Sequence, residues 1–550
     1  MRENDLPSRR IITYLSFLLT VMILAVVVFV RIRLLQTPLE RDEGEYAYMG
    51  QLILKGIHPY MNAYTMKLPG VSVAYALIML LFGRTISGIH LGLLFVNAIG
   101  IFLVYLLGKR LFDRNTAIIS CAAYAVLSLS QSVLGVFAHA THFVVLFYLA
   151  GLLFLLHAVD ERRTASLLTS GLFFGLAITM KQHAVLLIVF AFMYLAWRSR
   201  KHHTSWKHIL CVESTLFLLG ILIPYALIAL WMAYAGVFGT FWFWTVQYAR
   251  EYTSELTLVE GVTNFQGTFA GILHSQLFLC ILAGAGGILL CTKYVKCADR
   301  FFMAGLALFS FLAICPGFYF RNHYFILILP AMALLIGAAI HSAEPLCASF
   351  AWRGLQRFIP ILLFITAIAY GVYQEREYLF TSTPREVCRS AYDLSPFPEA
   401  VQIAAYLKER TAPKDRIAVL GSEPEICFYA DRLSATGHIY MYGLMEKQPY
   451  AERMQKEMIR EIETTAPEYI VMTMDALTLW PTESKLLFDW ANNFVGRRYY
   501  LVGVIDIINS GTTHYLWDRK AENYTPISGT YLTVHKRKTR PAPPPPAGGD

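Results

Sequence analysis

The sequence predicts an all-α polytopic membrane domain of about eleven transmembrane helices, with interfacial helices in its first external loop, followed by a C-terminal soluble α/β domain. Three observations lead to this fold class. The 550 residues are 56% hydrophobic and only 15% charged, and the mean hydropathy is +0.47, which is too apolar for a soluble protein. Long uncharged runs recur from the N-terminus onward. Near Glu375 the composition changes to that of a soluble chain.

The first apolar run predicts a retained membrane anchor. Ile11 to Val30 carries no charge, and its length of about 20 residues matches a full span, whereas a signal-peptide core is shorter. Ten further runs with few charges bring the predicted number of spans to eleven: 86–108, 115–138, 139–159, 164–180, 182–198, 208–235, 267–292, 301–319, 322–342 and 358–374.

The basic residues between the spans predict the orientation in the membrane. Five connections fall on the same side as Arg9 and Arg10, and cytoplasmic loops are enriched in Lys and Arg. The sequence therefore predicts a cytoplasmic N-terminus and, with an odd number of spans, an external C-terminus. These loops also explain the net charge of +9 without any nucleic-acid partner. They contain Lys109, Arg110, Arg114, Arg162, Arg163, Arg198 to Lys207, Lys293, Lys296, Arg300, Arg353 and Arg357.

The first external loop, residues 31–84, departs from this pattern. Its segment 69–82 is apolar but only about 14 residues long, too short to span, so we expect it to lie in the interface beside a helix over 43–54. Six basic residues lie on the unexpected side and indicate an anionic ligand, although the first two also suit contact with lipid headgroups. The six are Arg31, Arg33, Arg41, Lys55, Lys67 and Arg84.

The predicted domains are residues 1–375 in the membrane, 376–540 as an extracytoplasmic α/β domain, and 541–550 as a disordered Pro-rich tail. Periodicity in the second domain predicts helices over 398–410 and 450–465 and strands over 416–420, 469–474 and 499–507. The nine cysteines form no zinc-site spacing. Only Cys388 and Cys427 lie in this domain, and their pairing stays open.

The residues of the first external loop carry a family resemblance. Asp42 and Glu43 stand just outside the first span, and Lys67-Leu68-Pro69 opens the next apolar run. This order resembles the loop of polyprenyl-phosphate-sugar-dependent GT-C glycosyltransferases, a group that includes the protein O-mannosyltransferases and the lipid A aminoarabinose transferases. The resemblance spans roughly residues 10–375, and its motifs are closest in 40–84 and 321–324.

The resemblance implies that Asp42 is the catalytic base, because it matches the acidic position of the family motif. Glu43 would orient the acceptor or hold a metal. A structural alternative stays open, because Asp42 followed three residues later by Glu45 is a capping-box pattern at the start of a helix.

The resemblance also implies a set of substrate-binding residues, although Leu68 replaces the first proline of the family's Lys-Pro-Pro motif. Arg and Lys hold a lipid phosphate by charge-assisted hydrogen bonds, and His adds a proton-linked donor. Arg321 and Tyr324 equally suit interfacial anchoring. The predicted set is Lys67, Arg321, His323, Tyr324, Lys181, Tyr46 and Tyr60.

Two weaker candidates complete the site analysis. His139 and His142 flank an outer turn and would contact sugar or metal, or supply ordinary interfacial polarity. The aromatic stretch from Gly236 to Phe265 suits either a substrate lid or an interfacial belt. No nucleotide-binding motif is present, which favours a lipid-linked donor over a nucleotide sugar.

The sequence thus predicts an integral-membrane, inverting hexosyl- or pentosyltransferase, which moves a sugar from a polyprenyl-phosphate donor to an acceptor hydroxyl on a lipid, protein or glycan. Membrane lipids are its other predicted partners, and a divalent metal is its one candidate cofactor. The expected location is the bacterial inner membrane, with the active site outside. The alternatives are a flippase, a transporter or a non-catalytic binder of lipid-linked sugars.

Overall fold

The computed structural model describes residues 6–202, 204–292, 299–347, 358–475 and 486–538. Lys293, Lys296, Arg353, Arg357 and the Pro-rich tail at 541–550 lie outside the described residues. Two compact units make up the chain. The helical unit comprises Met1–Thr37 and Met66–Val387, and the sheet unit comprises Pro38–Thr65 and Cys388–Asp550. Much of the first external loop therefore belongs with the C-terminal region, and not with the membrane helices to which the sequence assigned it.

The helices of the first two thirds of the chain belong to the helical unit, except for α2, which lies in the sheet unit. In chain order they are α1 Leu6–Arg33, α2 Arg41–Leu54, α3 Gly70–Phe82, α4 Ile86–Leu111, α5 Arg114–Leu127, α6 Ala140–Glu161, α7 Thr164–Met180, α8 Val185–Lys201, α9 Trp206–His208, α10 Ser214–Tyr234, α11 Phe238–Trp242, α12 Ala249–Thr253, α13 Leu258–Leu290, α14 Arg300–Leu312, α15 Leu329–Cys347 and α16 Ile359–Gln374.

Within the described residues, six helices are long and apolar enough to cross a membrane, as expected of a multi-pass membrane protein. They are Tyr14–Arg33, Ile86–Leu111, Ala140–Glu161, Gln182–Lys201, Trp206–Tyr234 and Leu258–Leu290. Shorter apolar helices of 10–17 residues are Gly70–Phe82, Thr164–Met180, Arg300–Leu312, Leu329–Ala343 and Ile359–Gln374.

The predicted span over 115–138 is not one continuous helix. Helix α5 ends at Leu127 and is followed by a 3-10 turn at Gln131–Val133. The serines of this stretch explain the break, because the Ser128 hydroxyl donates to the Ala125 carbonyl oxygen at 3.2 Å and the Ser130 hydroxyl accepts from the Ser132 amide at 3.3 Å. Short hydroxyl side chains compete with helical hydrogen bonds in this way.

Close helix packing sets the position of the turn after α7. Gly171 of α7 faces Gly220 of α10, and a Cβ at Gly171 would meet the Phe217 carbonyl oxygen at 2.2 Å. Small residues allow membrane helices to approach closely. Gly70, at the start of α3, lies equally close to Thr179 near the end of α7. This contact brings the chain segment that contains Lys67 beside the turn that contains Lys181.

Several basic residues of the first external loop have structural partners. Arg31 is buried and donates to the carbonyl oxygens of Ser128 and Gly135, both at 3.0 Å. Arg33 donates to three carbonyl oxygens of the segment 378–382. These guanidinium groups stabilise the backbone of the helical unit, so neither an anionic ligand nor lipid headgroups are needed to explain them.

The sheet unit contains a six-stranded mixed sheet of order β2-β1-β3-β6-β4-β5. Strand β1 pairs in parallel with β2 and β3, and the other pairs are antiparallel. The predicted strands over 416–420, 469–474 and 499–507 are confirmed. The strands are β1 Arg416–Leu420, β2 Leu433–Ser434, β3 Tyr469–Asp475, β4 Tyr499–Ile507, β5 Thr513–Trp517 and β6 Thr530–Arg537.

The C-terminal region also contains helices, and the two predicted from periodicity are found within a residue of their expected bounds. The helices are α17 Pro384–Tyr392, α18 Phe397–Arg410, α19 Glu425–Ala430, α20 Tyr442–Met445, α21 Ala451–Thr465, α22 Leu486–Arg498 and α23 Arg519–Glu522. Cys388 and Cys427 are buried free thiols.

Candidate active site

The acidic segment at the start of α2 belongs to the sheet unit. Glu40 is the N-cap, and the box is reciprocal: its side chain accepts from the Glu43 amide at 2.9 Å, while Glu43 accepts from the Glu40 amide at 3.2 Å. The capping pattern expected for Asp42 with Glu45 is therefore wrong by two residues. Glu43, which has a fully buried side chain, has a structural role in the cap, and Asp42 does not.

Asp42 lies in the first turn of α2, where the helix dipole favours a negative charge. The Tyr440 hydroxyl donates a hydrogen bond to Asp42 Oδ1 at 3.0 Å. Asp42 is only partly buried, in contrast to its neighbours Glu40 and Glu43. Burial and the charges of Asp42 and Glu43 raise the pKa of Glu40 well above its ordinary value.

Arg41 holds the start of α2 against the C-terminal region. Its guanidinium donates to the Ser422 carbonyl oxygen at 2.8 Å and the Tyr442 hydroxyl at 2.6 Å, and it lies 3.5 Å from Glu423. The guanidinium also stacks over the rings of Phe397 and Tyr442. Arg41 is thus a structural cation of the sheet unit. Lys55 is similarly paired, 2.6 Å from Asp431.

Gly44 and Glu425 meet where α2 packs on α19. A Cβ at Gly44 would lie 2.8 Å from three Glu425 atoms, so this position requires glycine. The Glu425 side chain is fully buried, and neither of its carboxyl oxygens accepts a hydrogen bond from any other residue that the structure describes. Burial and the nearby Glu423 carboxylate raise the pKa of Glu425 well above its ordinary value.

A basic cluster forms in the helical unit around His323, which precedes helix α15. Lys181 Nζ lies 3.4 Å from His323 Nε2, and the His139 and His323 rings stack with centroids 4.0 Å apart. His323 is buried, and the charges of His139, Lys181, Arg321 and Lys67 act on its imidazole. Because an ammonium group only donates, His323 Nε2 is the acceptor in this contact.

The remaining cations of this cluster are positioned by short local contacts. The Gln182 amide donates to the Met66 carbonyl oxygen at 3.0 Å, next to Lys67. Lys181 Nζ also lies 4.0 Å from the Tyr324 ring centroid. Arg321 lies over the Tyr319 ring at 5.3 Å, and Tyr319 stacks on Tyr252 of the aromatic stretch. The structure thus brings together Lys67, Lys181, Arg321, His323 and Tyr324.

The other predicted site residues are buried. Tyr46 and Tyr60 are 2% and 1% exposed in the sheet unit, and their assignment to substrate stays a prediction. His142 is buried inside α6, whereas His139 is its N-cap residue and reaches the cluster. The imidazoles of His139 and His323 are suitable metal ligands, and a divalent metal stays a prediction.

Sequence reasoning missed the residues that position these groups. Tyr319 lies beneath the Arg321 guanidinium, and the Tyr440 hydroxyl donates to Asp42. Glu40 was also missed as the N-cap of α2, because glutamate is not among the residues preferred at that position. Nothing in the sequence indicates that Tyr440 lies beside Asp42, almost 400 residues away.

Residues 58–235 match the family model described as dolichyl-phosphate-mannose-protein mannosyltransferase. This range includes Lys67 and Lys181 of the basic cluster. A comparison with curated protein sequences finds no significant match. The resemblance drawn from the sequence is confirmed by the family model over this range.

Solved structures extend the likeness to almost the whole chain. ArnT from Cupriavidus metallidurans bound to undecaprenyl phosphate is 14% identical with a TM-score of 0.56, covering 94% of this chain and 97% of that one. The structure of ArnT from Cupriavidus metallidurans in the apo state is 13% identical with a TM-score of 0.58, and it covers the same shares of the two chains. The Archaeoglobus fulgidus oligosaccharyltransferase in the apo form is 13% identical, with a TM-score of 0.51 and coverage of 92% and 75%. The chain has the GT-C fold.

Replacing Glu425 by Gln should stabilise the protein at neutral and alkaline pH. A carboxyl with a raised pKa contributes its full stability below its unfolded pKa of about 4.5, and this stability is lost as pH rises through the folded pKa. Glu425→Gln removes that loss, because glutamine carries no proton that is released as the pH rises. Each unit of pKa shift is worth about 1.4 kcal/mol of unfolding free energy. The thermal midpoint of the full-length protein should rise by about 2–4 °C at pH 8 and stay unchanged near pH 4.5.

Glu409→Gln is the matched control, because the Glu409 side chain is 74% exposed. It should leave the thermal midpoint unchanged at both pH values. A variant with Glu425→Gln that is no more stable than the parent at pH 8 would contradict the raised pKa.

Proposed function

We propose that this protein is an integral-membrane glycosyltransferase that moves a hexosyl or pentosyl unit from a polyprenyl-phosphate donor to an acceptor hydroxyl, with inversion at the sugar. The basic cluster around His323 is the observation that carries the proposal. Three supports converge on it: the family model covers Lys67 and Lys181, the fold is that of membrane glycosyltransferases, and one such structure is of ArnT bound to undecaprenyl phosphate.

The chemistry of the cluster suits a lipid phosphate. The charges of Lys67, Lys181 and Arg321 all act on the buried His323 imidazole. Like charges gathered in a site of low polarity repel one another. A phosphate relieves this repulsion and accepts charge-assisted hydrogen bonds from the same groups. As the sugar–phosphate bond breaks, negative charge grows on the departing phosphate, and preorganised cations stabilise it.

Asp42 is the proposed catalytic base. An acceptor hydroxyl is a weak nucleophile and needs a positioned carboxylate to take its proton as the glycosidic bond forms. Asp42 is free of the capping role, is only partly buried, and has one oxygen held by the Tyr440 hydroxyl. Asp42 belongs to the sheet unit, in the segment Pro38–Thr65 that precedes Lys67 along the chain. Glu43 has the supporting role of holding the first turn of α2.

We further propose eleven spans, with a cytoplasmic N-terminus and with the sheet unit outside the cytoplasm. The bacterial inner membrane is the proposed location. The charge distribution supports this orientation, because Lys109, Arg110, Arg162, Arg163 and Arg200 lie at the ends of α4, α6 and α8.

Replacing Lys67 or Arg321 by Ala should weaken use of the lipid-phosphate donor. A charge-assisted hydrogen bond is worth about 1.5–3 kcal/mol, so each variant should lose about 10- to 100-fold in donor affinity. Arg321→Lys should recover only part of the lost donor affinity, because an ammonium group lacks the bidentate geometry of a guanidinium. Binding of undecaprenyl phosphate to purified variants measures this loss.

Arg84→Ala is the control, since Arg84 is an exposed basic residue of the same loop. It should bind the lipid phosphate as the parent does. If Lys67→Ala and Arg321→Ala also bind normally, the two residues are membrane anchors.

Asp42→Asn should abolish transfer without loss of folding. Asn keeps an oxygen that accepts from Tyr440, and the Glu40–Glu43 cap is untouched. A missing general base costs at least about 100-fold in rate. The rate of single-turnover transfer from a labelled polyprenyl-phosphate sugar to acceptors in the membrane measures this loss. The amount of variant protein in the membrane is measured in parallel and reports folding.

Glu43→Gln is the matched control, because Gln also completes a capping box. We expect a smaller loss from it than from Asp42→Asn. Unimpaired transfer by Asp42→Asn would end the assignment of the base, and donor binding without transfer in the parent protein would favour a flippase or a non-catalytic binder.

Cysteine accessibility should report the proposed topology. In a variant lacking the exposed thiols of Cys211 and Cys291, Lys414→Cys should react with an impermeant maleimide added outside intact cells, because Lys414 is exposed in the sheet unit. Lys207→Cys, at an exposed position of α9, should react only in lysed cells. Cytoplasmic labelling of Lys414→Cys would contradict the orientation and the span count together.

A further inference from the structure

A cavity of about 440 Å³ lies in the helical unit, between the end of α6, the start of α7, the end of α8 and the turn that follows α9. Its walls combine apolar side chains, including Val159, Leu167 and Leu195, with a polar rim. Arg162, Arg163 and Glu213 are the charged residues of its lining. The proposed transfer reaction uses none of them.

This cavity is remote from the basic cluster. His139 is the N-cap of α6 and Arg162 is its C-cap, so the 22 residues of the helix separate them by about 33 Å. Helix α7 then runs back from Thr164 to Lys181. The cavity therefore lies at the opposite ends of the helices that supply the basic cluster, on the face where the orientation proposed above places the cytoplasm.

The two arginines of the cavity are available cations. Arg162 and Arg163 are exposed, and neither guanidinium makes a hydrogen bond or ion pair with any residue that the structure describes. Other arginines at this end are engaged: Arg110 and Arg198 pair with Asp160. Arg163 is also the N-cap of α7, where no side chain caps the helix. The positive end of the helix dipole adds to the attraction for an anion.

Glu213 supplies the opposite charge. It ends a π-helical turn at Ile209–Glu213 within the apolar segment Trp206–Tyr234, and an ionisable residue in such a segment indicates a functional site. Its Oε2 atom is buried and has no hydrogen-bond partner among the residues that the structure describes. A buried carboxylate oxygen is costly unless a donor reaches it. The cavity thus presents two cations and one unsatisfied anion.

We propose that this cavity binds a phosphoethanolamine group. Arg162 and Arg163 hold the phosphate, and the primary ammonium group donates to Glu213. The apolar walls suit the hydrocarbon part of a phosphatidylethanolamine molecule, and Trp206, which is 55% exposed beside the cavity residue Ser205, suits a membrane interface. A soluble ester such as glycerophosphoethanolamine carries the same group, so experiment must separate the two sources.

Binding of lipids to the purified full-length protein in nanodiscs tests this site. Phosphatidylethanolamine should bind at least about tenfold more tightly than phosphatidylglycerol, which lacks the ammonium group, or phosphatidylcholine, whose quaternary ammonium has no N–H donor. Glu213→Gln should abolish this preference and leave phosphatidylglycerol binding unchanged. Replacing Arg162 and Arg163 together by Gln should weaken binding of phosphatidylethanolamine and phosphatidylglycerol alike by at least about tenfold.

Lys109→Gln with Arg114→Gln is the matched control, because it removes two exposed positive charges on another loop of the same face, outside the cavity. It should keep the lipid preference. Glycerophosphoethanolamine titrated into detergent-purified protein separates the sources: binding as tight as that of the lipid assigns the cavity to a soluble ester, and weaker binding assigns it to the lipid. Equal affinity for all three lipids, or a preference that survives Glu213→Gln, would overturn the proposal.

Discussion

A buried guanidinium or ammonium group must be hydrogen-bonded or paired, and this constraint explains the structural roles of several basic residues of this protein. Arg31 and Arg33 satisfy it with backbone carbonyl oxygens of the helical unit. Arg41 satisfies it with Ser422, Tyr442 and Glu423 of the sheet unit. Around His323, in contrast, the charges of Lys67, Lys181 and Arg321 act on one buried side chain, and this concentration of positive charge is the feature on which the proposed phosphate site rests.

The same reasoning separates the two neighbouring acids of α2. A helix start leaves backbone amides without partners, and Glu40 and Glu43 supply acceptors to two of them. Glu43 is therefore fully used by the local backbone. Asp42, one residue earlier, points away from this cap and meets Tyr440 instead. Adjacent carboxylates thus acquire different roles because a helix turns by about 100° per residue.

Local patterns explain why much of the fold was predictable. The strands over 416–420 and 499–507 and the helix ending at Arg410 follow from periodicity within a few residues, and the structure confirms them. The 13-residue helix Gly70–Phe82 likewise follows from its short apolar run. The continuous span over 115–138 failed, because serines bonding to nearby groups ended α5 at Leu127, and hydropathy alone does not record that competition.

Composition and motif order by themselves determined that this is a multi-pass membrane protein, that it resembles GT-C glycosyltransferases, and which side chains are candidates for the site. These properties depend on hydrophobicity and residue type, which can be read directly from the amino-acid sequence. Only the tertiary structure decided that residues 38–65 pack with the C-terminal region, that Lys67, Lys181 and Arg321 surround His323, and that Glu43 caps its helix while Tyr440 contacts Asp42. Such contacts join residues far apart in sequence, and they form because buried polar groups find their partners only when the chain has folded.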